Sequence, residues 1–240
     1  MLTLKQLQLL SYRKHLDNLP DGKLLINTIN SHSFNLTKRD RSFAGAIEQS
    51  DILLPDGVSI VISTLLLQHR RIERIPGADL FEYEMVKINK RGGRVFFLGS
   101  TPQNLQKITE RAAREYPRVE VFSCSPPFKE QFSEEDNAVM VATINQVRPD
   151  VLFIGLSAPK QEKWAAQHIS QLEVGHVCSI GAVFDFYAGN ILRAPFWIQS
   201  LGLEWLFRLI SEPRRMWRRY ILGNPIFIWY VLKELWSKGG

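Results

Sequence analysis

Short apolar runs alternate with amphipathic stretches along most of the chain. Residues 23–27, 52–54, 94–98, 119–123, 151–155 and 176–180 are mostly Val, Ile, Leu and Phe bounded by turn residues, which predicts six strands. Helical spacing between them predicts helices over residues 38–49, 58–69, 78–90, 102–115, 134–147 and 160–172. The stretch 102–115 is the clearest. Thr101 is placed to cap it, Pro102 fits the first turn, and Leu105, Ile108 and Ala112 share one face. Strands alternating with helices predict an α/β, Rossmann-like architecture with a largely parallel sheet and helices on both faces. Ligands of such sheets bind beyond the carboxyl ends of the strands. The polar clusters Thr28-Ile29-Asn30, Pro55-Asp56-Gly57, Gly99-Ser100-Thr101 and Ser157-Ala158-Pro159 each follow a predicted strand and fall on that edge.

The pattern changes after about residue 189. Pro195, Pro213 and Pro225 are expected to divide the rest into short helices. The run from Pro225 to Leu232 is strongly apolar but too short to cross a bilayer. It suits a segment lying in a membrane interface or packing under another chain. The expected organisation is a catalytic body over residues 1–192 and a helical, membrane-associating C-terminal appendage over 193–240.

Charge sharpens that division. The chain of 240 residues carries a formal +6, with 45% hydrophobic and 22% charged residues, which excludes a disordered chain or a coiled-coil rod. Residues 193–240 hold eight basic and three acidic side chains, ten aromatics and five of the six tryptophans. A nearly neutral body therefore carries a basic, aromatic tail. Two cysteines, Cys124 and Cys178, form no CxxC, and a reducing compartment is the simplest reading. The first residues lack the apolar run of a signal peptide, and no apolar stretch is long enough to span a bilayer.

Several residues are candidates for chemistry. Asp56, at a strand end before Gly57, suits a general base toward a hydroxyl, or more plainly a cap for the helix starting at Val58. Arg74 is placed to clamp a phosphate, or to be a solvated surface arginine. Gln161 and Glu162 open a helix whose free N–H groups suit an anion or sugar, or form an ordinary first turn. Asp185, among aromatics, either ties its loop or contacts ligand. GxGxxG, GxxxxGK[ST] and HExxH motifs are absent, which disfavours a dinucleotide enzyme and P-loop chemistry. No His/Cys cluster or Asp-x-Asp suggests a metal, and the five histidines are scattered.

Six ordered blocks and the tail together resemble the WecG/TagA/CpsF family of bacterial glycosyltransferases. The blocks are Asn27-Thr28-Ile29-Asn30-Ser31-His32, Pro55-Asp56-Gly57-Val58, Arg74-Ile75-Pro76-Gly77-Ala78-Asp79-Leu80, Phe97-Leu98-Gly99-Ser100, Ala158-Pro159-Lys160-Gln161-Glu162-Lys163-Trp164 and Gly181-Ala182-Val183-Phe184-Asp185. In the tail the likeness covers Arg193-Ala194-Pro195, Gly202-Leu203-Glu204-Trp205-Leu206-Phe207-Arg208-Leu209, Glu212-Pro213-Arg214-Arg215 and Arg218-Arg219-Tyr220. Serine stands at 59 and 157 where the family usually has glycine, adding side chain where backbone would approach a ligand.

The resemblance implies an inverting transferase using neither metal nor cofactor. It would move N-acetylmannosamine, its uronic acid or glucose from a UDP-sugar donor to a polyprenyl-diphosphate-linked saccharide. The implied location is peripheral, on the cytoplasmic face of the bacterial plasma membrane. Asp56 matches the family's proposed base; Thr28, Asn30, Arg74 and Gln161 match its pocket; Arg208, Arg215 and Arg218 match residues thought to complete the site. Gly99, Ser100 and Glu162 complete the expected substrate-binding set. The alternative is a non-catalytic membrane or anionic-polymer adaptor. Nucleic acid is disfavoured by the modest tail charge, and homo-oligomerisation stays open.

Overall fold

The computed structural model describes residues 2–237; Met1, and Lys238 of the basic tail, lie outside the described residues. In chain order the body comprises β1 (Leu24–Ile29), α1 (Ser31–Thr37), α2 (Arg41–Glu48), β2 (Ile52–Pro55), α3 (Val58–Gln68), α4 (Gly77–Arg91), β3 (Gly93–Gly99), α5 (Pro102–Glu115), β4 (Val119–Cys124), α6 (Glu134–Val147), β5 (Val151–Gly155), α7 (Lys160–His168), β6 (His176–Ser179) and α8 (Val183–Tyr187). The tail adds α9 (Phe196–Ser200), α10 (Glu204–Ser211), α11 (Pro213–Trp217) and α12 (Gly223–Trp236).

The six strands form one sheet in the order β2-β1-β6-β5-β3-β4, every pair parallel. Side-chain alternation builds a core on each face. Val95, Phe97, Phe153 and Cys178 pack under α4, α5 and α8, while Phe96, Leu98, Leu152 and Val177 pack under α6 and α7. The predicted parallel α/β sheet with helices on both faces is what the chain forms.

Two local differences have clear causes. The helix predicted over 38–49 forms as α2, and an unpredicted helix, α1, precedes it over Ser31–Thr37. Asn30 caps α1 by accepting from the Ser33 N–H at 3.1 Å, and Asp40 caps α2 by accepting from the Phe43 N–H at 3.0 Å. Ser31, His32, Ser33 and Asn35 are weak helix formers, so the capping box that starts α1 is its main signal. The helix expected to reach residue 172 ends as α7 at His168 and continues as a 3₁₀ turn, Ile169–Gln171.

The end of the tail is built into the body. Phe227 and Val231 of α12 belong to a third core with Phe34, Phe43, Ile60 and Leu4. The Phe34 and Phe227 rings meet edge-on at 5.6 Å. Glu234 accepts hydrogen bonds from the Leu4 and Lys5 N–H groups at 2.9 and 3.1 Å, tying α12 to the N-terminal 3₁₀ turn. The run 225–232 thus buries one face on its own chain and exposes Ile228, Trp229 and Leu232 on the other. The prolines also act differently from one another. Pro195 and Pro213 start α9 and α11. Pro225 sits inside α12, and the turn before it, Arg218–Leu222, widens to a π turn. Lacking an N–H and crowding the carbonyl one turn back, proline favours such a widening.

Candidate active site

The carboxyl ends of β1, β2, β5 and β6 open into a cleft of about 560 Å³, closed on its far side by α10, α11 and the π turn of the tail. Parallel pairing places Thr28, Asn30, Asp56 and Gln161 on this one edge, all of them lining the cleft. Arg74 lines it too, because the Ile75 N–H donates to the Pro55 carbonyl at 2.9 Å and pins that loop beside the end of β2.

Asp56 does not cap α3. The cap position is Gly57, at φ +153°, with no side-chain cap bond. The Asp56 N–H donates to the Ile29 carbonyl at 2.8 Å, and among the described residues nothing donates to its carboxylate. Burial raises the Asp56 pKa above the ordinary carboxylate value, and the nearby Glu204 raises it further. Arg74, Arg219 and Arg208 pull the other way without overcoming burial.

Arg74 is half-buried and pairs with Glu204 of α10 at 2.7 Å, so it is not a free surface arginine. Gln161 and Glu162, on the first turn of α7, are both buried. The Gln161 amide donates to Glu162 Oε1 at 2.9 Å, leaving Gln161 Oε1 and Glu162 Oε2 without partners among the described residues. Desolvation pushes the Glu162 carboxyl up to about 7. Asn30 spends its Oδ1 on the α1 cap, and its Nδ2 donates to no described residue.

Gly99 and Ser100 lie outside the cleft wall, although they were expected in the substrate set. They end β3, on the far side of β5 from β6, β1 and β2. Gly99, at φ +118°, is needed for close approach, since a Cβ there would sit 2.6 Å from the Gly155 carbonyl. Ser100 Oγ accepts from Asn104, which also donates to Asp185 Oδ1 at 3.3 Å. That bond gives Asp185 a tying role between α5 and α8.

The tail contributes most of the positive charge. Six arginines line the cleft, Arg74, Arg193, Arg208, Arg215, Arg218 and Arg219, against the carboxylates Asp56, Glu162 and Glu204. Arg215 pairs with Glu212 at 3.2 Å, and Arg208 lies 3.8 Å from the same carboxylate. Arg193 pairs with Asp79. Arg218 and Arg219 have no ion pair among the described residues. Arg219, not singled out in the sequence, has a buried Nε without a partner, and burial lowers its pKa from the usual guanidinium value. His32 was also missed. Burial and Arg219 hold its imidazole down at about 4, so it stands neutral in the cleft wall. Its position in the block after Asn30 was the available signal.

Ser59 and Ser157 both line the cleft, and Ser157 takes a left-handed backbone at φ +68°. Among the described residues no group of three or more His, Cys, Asp or Glu is gathered to hold a metal ion. No helix among them is long and apolar enough to cross a membrane. The tail exposes large apolar side chains, including Phe196 at 83% and Trp197 at 64%.

A protein of Bacillus subtilis (strain 168) named N-acetylglucosaminyldiphosphoundecaprenol N-acetyl-beta-D-mannosaminyltransferase is 30% identical over 210 residues, covering 88% of this chain and 79% of its own. One of the same name from Staphylococcus aureus (strain MW2) is 27% identical over 217 residues, covering 90% and 82%. The Glycosyl transferase WecG/TagA/CpsF family matches residues 3–239, and the chain belongs to that family.

Proposed function

We propose that this chain is an inverting, metal-independent glycosyltransferase acting at the cytoplasmic face of the bacterial plasma membrane. It moves N-acetylmannosamine, its uronic acid or glucose from a UDP-sugar to a saccharide carried on polyprenyl diphosphate. The names of the relatives support the lipid-linked acceptor. The observation that carries the reading is Asp56, a carboxylate of raised pKa with no donor of its own, in a cleft ringed by arginines.

In this mechanism Asp56 takes the proton of the acceptor hydroxyl. The freed oxygen pair attacks the anomeric carbon opposite the leaving group, and the bond to UDP breaks with its electrons on the diphosphate. A raised pKa makes Asp56 a stronger base toward the acceptor hydroxyl. Arg208, Arg215, Arg218 and Arg219 offset the charge that develops on the diphosphate. Gln161 and Glu162 meet the donor sugar through their unpartnered oxygens. The exposed aromatics of the tail rest in the headgroup region, where basic side chains gain about 1 kcal/mol each against anionic lipid.

The test is a panel of UDP-sugars with a detergent-dispersed lipid-diphosphate saccharide, read by UDP release and by the mass of the lipid product, with and without excess EDTA. Asp56→Asn should lower turnover by about 10² to 10⁴ while UDP still binds. Near-wild-type turnover in that variant refutes the base. Activity lost in EDTA and restored by Mn²⁺ refutes metal independence. No UDP release with any donor leaves the adaptor reading.

A further inference from the structure

A carboxylate facing a cleft that binds anions is costly, because it repels the ligand the arginines attract. Glu204 is such a carboxylate. It stands at the first position of α10, lines the same cleft as Asp56, and is mostly shielded from solvent. Its recorded ion pair is with Arg74, at 2.7 Å, across 130 residues of sequence. The pair is not needed to hold the tail on the body, since α12 is already anchored by Phe227, Val231 and Glu234. Some other effect has to offset the repulsion.

We propose that Glu204 is a positioning residue of the cleft: it fixes the Arg74 guanidinium and sets a second carboxylate toward Asp56, so that seating α10 on the body prepares Asp56 for proton transfer. The preparation rests on the reading of Asp56 as the base. The charged groups facing Asp56 are Glu204 of α10, Arg74 of the loop before α4, Arg208 of α10 and Arg219 of the π turn. Of these only Glu204 favours the protonated form. Glu204 acts twice over, once by its own like charge and once by engaging Arg74, whose free cation would otherwise hold Asp56 ionised and weakly basic. With α10 displaced, Asp56 loses Glu204 and, on the same helix, Arg208, and it faces an unpaired Arg74 whose cation favours the ionised form. The active-site base is thereby completed by the tail, and a chain whose tail is unseated keeps a poorer base.

The experiment titrates Asp56 directly. Full-length protein in detergent, labelled with ¹³C at the Asp carboxyl, gives an Asp56 resonance identified by its absence in Asp56→Asn. In Glu204→Gln the midpoint should fall by about one pH unit, and in Glu204→Asp, which keeps the charge, it should stay near wild type. A midpoint unmoved in Glu204→Gln, or moved equally in both variants, overturns the proposal. A merely structural Glu204 would lower the melting temperature and turnover at every pH without moving that midpoint. The rate profile gives the functional arm: the acidic limb of kcat/KM in Glu204→Gln should shift to lower pH with UDP affinity undiminished, and an unshifted limb counts against it. Turnover of Asp56→Asn is the separate check on the base, and its persistence would remove Asp56 from that role without altering the titration.

Discussion

Replacing Phe227 by Ala asks whether the tail is an attachment or part of the fold. The side chain is 3% exposed, packs edge-on against the fully buried Phe34, and belongs to the core that α12 shares with the N-terminal turn, α1 and α3. Truncating a buried Phe costs about 3–5 kcal/mol in lost transfer energy and residual cavity. For a chain of this length the unfolding entropy near the midpoint is about 0.5 kcal/mol/K, so the melting temperature should fall by about 6–10 °C. Trp229, on the same helix but 54% exposed, is the matched control. Trp229→Ala should stay within about 0.5 kcal/mol of wild type and weaken liposome binding instead. Calorimetry of both variants, with flotation on anionic vesicles, separates the two. Turnover should fall in Phe227→Ala as well, because Arg218 and Arg219 sit in the turn that α12 anchors. A fall under about 2 °C, set against the 3–5 kcal/mol expected, would refute the claim that α12 belongs to the folded body.

Two other predictions follow from local chemistry. Burial raises the Glu162 pKa from 4.5 to about 7, so the folded state holds this proton more tightly than the unfolded chain. Its contribution is fully present below pH 4.5 and is lost as pH rises through about 7, a change of up to roughly 3 kcal/mol. Glu162→Gln should flatten the decline of melting temperature between these pH values, and an unchanged decline in thermal scans would refute the shift. Ser157 holds φ +68°, which a Cβ disfavours. Ser157→Gly should stabilise by about 1 kcal/mol, read as an upward shift in the urea midpoint, and a downward shift would show that the serine is held by something other than its backbone.

Hydrophobic patterning made most of the body legible. Phe96 and Leu98 alternate with Val95 and Phe97 because β3 is covered on both faces, and that doubly apolar run reads as a buried parallel strand. The α5 boundary was equally plain, since Thr101 and Pro102 act locally: the Thr101 hydroxyl accepts from the Asn104 N–H at 3.3 Å. Helix α1 was less visible because its polar residues take their helical order from tertiary packing of Phe34 rather than from propensity. The tail misled for a related reason. An apolar octapeptide has the same sequence whether its partner is lipid or the chain's own N-terminus, and only contacts across more than 200 residues decide. In α12 one face is settled by protein, with Phe227 buried, while Trp229 on the other is left exposed.

The site divides along the same line. Thr28, Asn30 and Asp56 were legible because parallel pairing forces the ends of β1 and β2 onto one edge, whatever the helices do. Gly99 and Ser100 satisfied the same rule and still fall outside the cleft. Strand order, which a local pattern does not carry, puts β5 and β6 between β3 and the end of β1. Among the arginines, a basic run alone does not reveal which side chain enters the cleft. Arg218 and Arg219 are adjacent, and the π turn over Arg218–Leu222 leaves Arg219 the more enclosed of the two, its Nε buried without a partner. Glu204 is the sharpest case, since one of three acids in a basic tail carries no local mark of a role. Its meaning depends on Arg74 and Asp56, which lie far away in sequence and meet it only where body and tail close on one another.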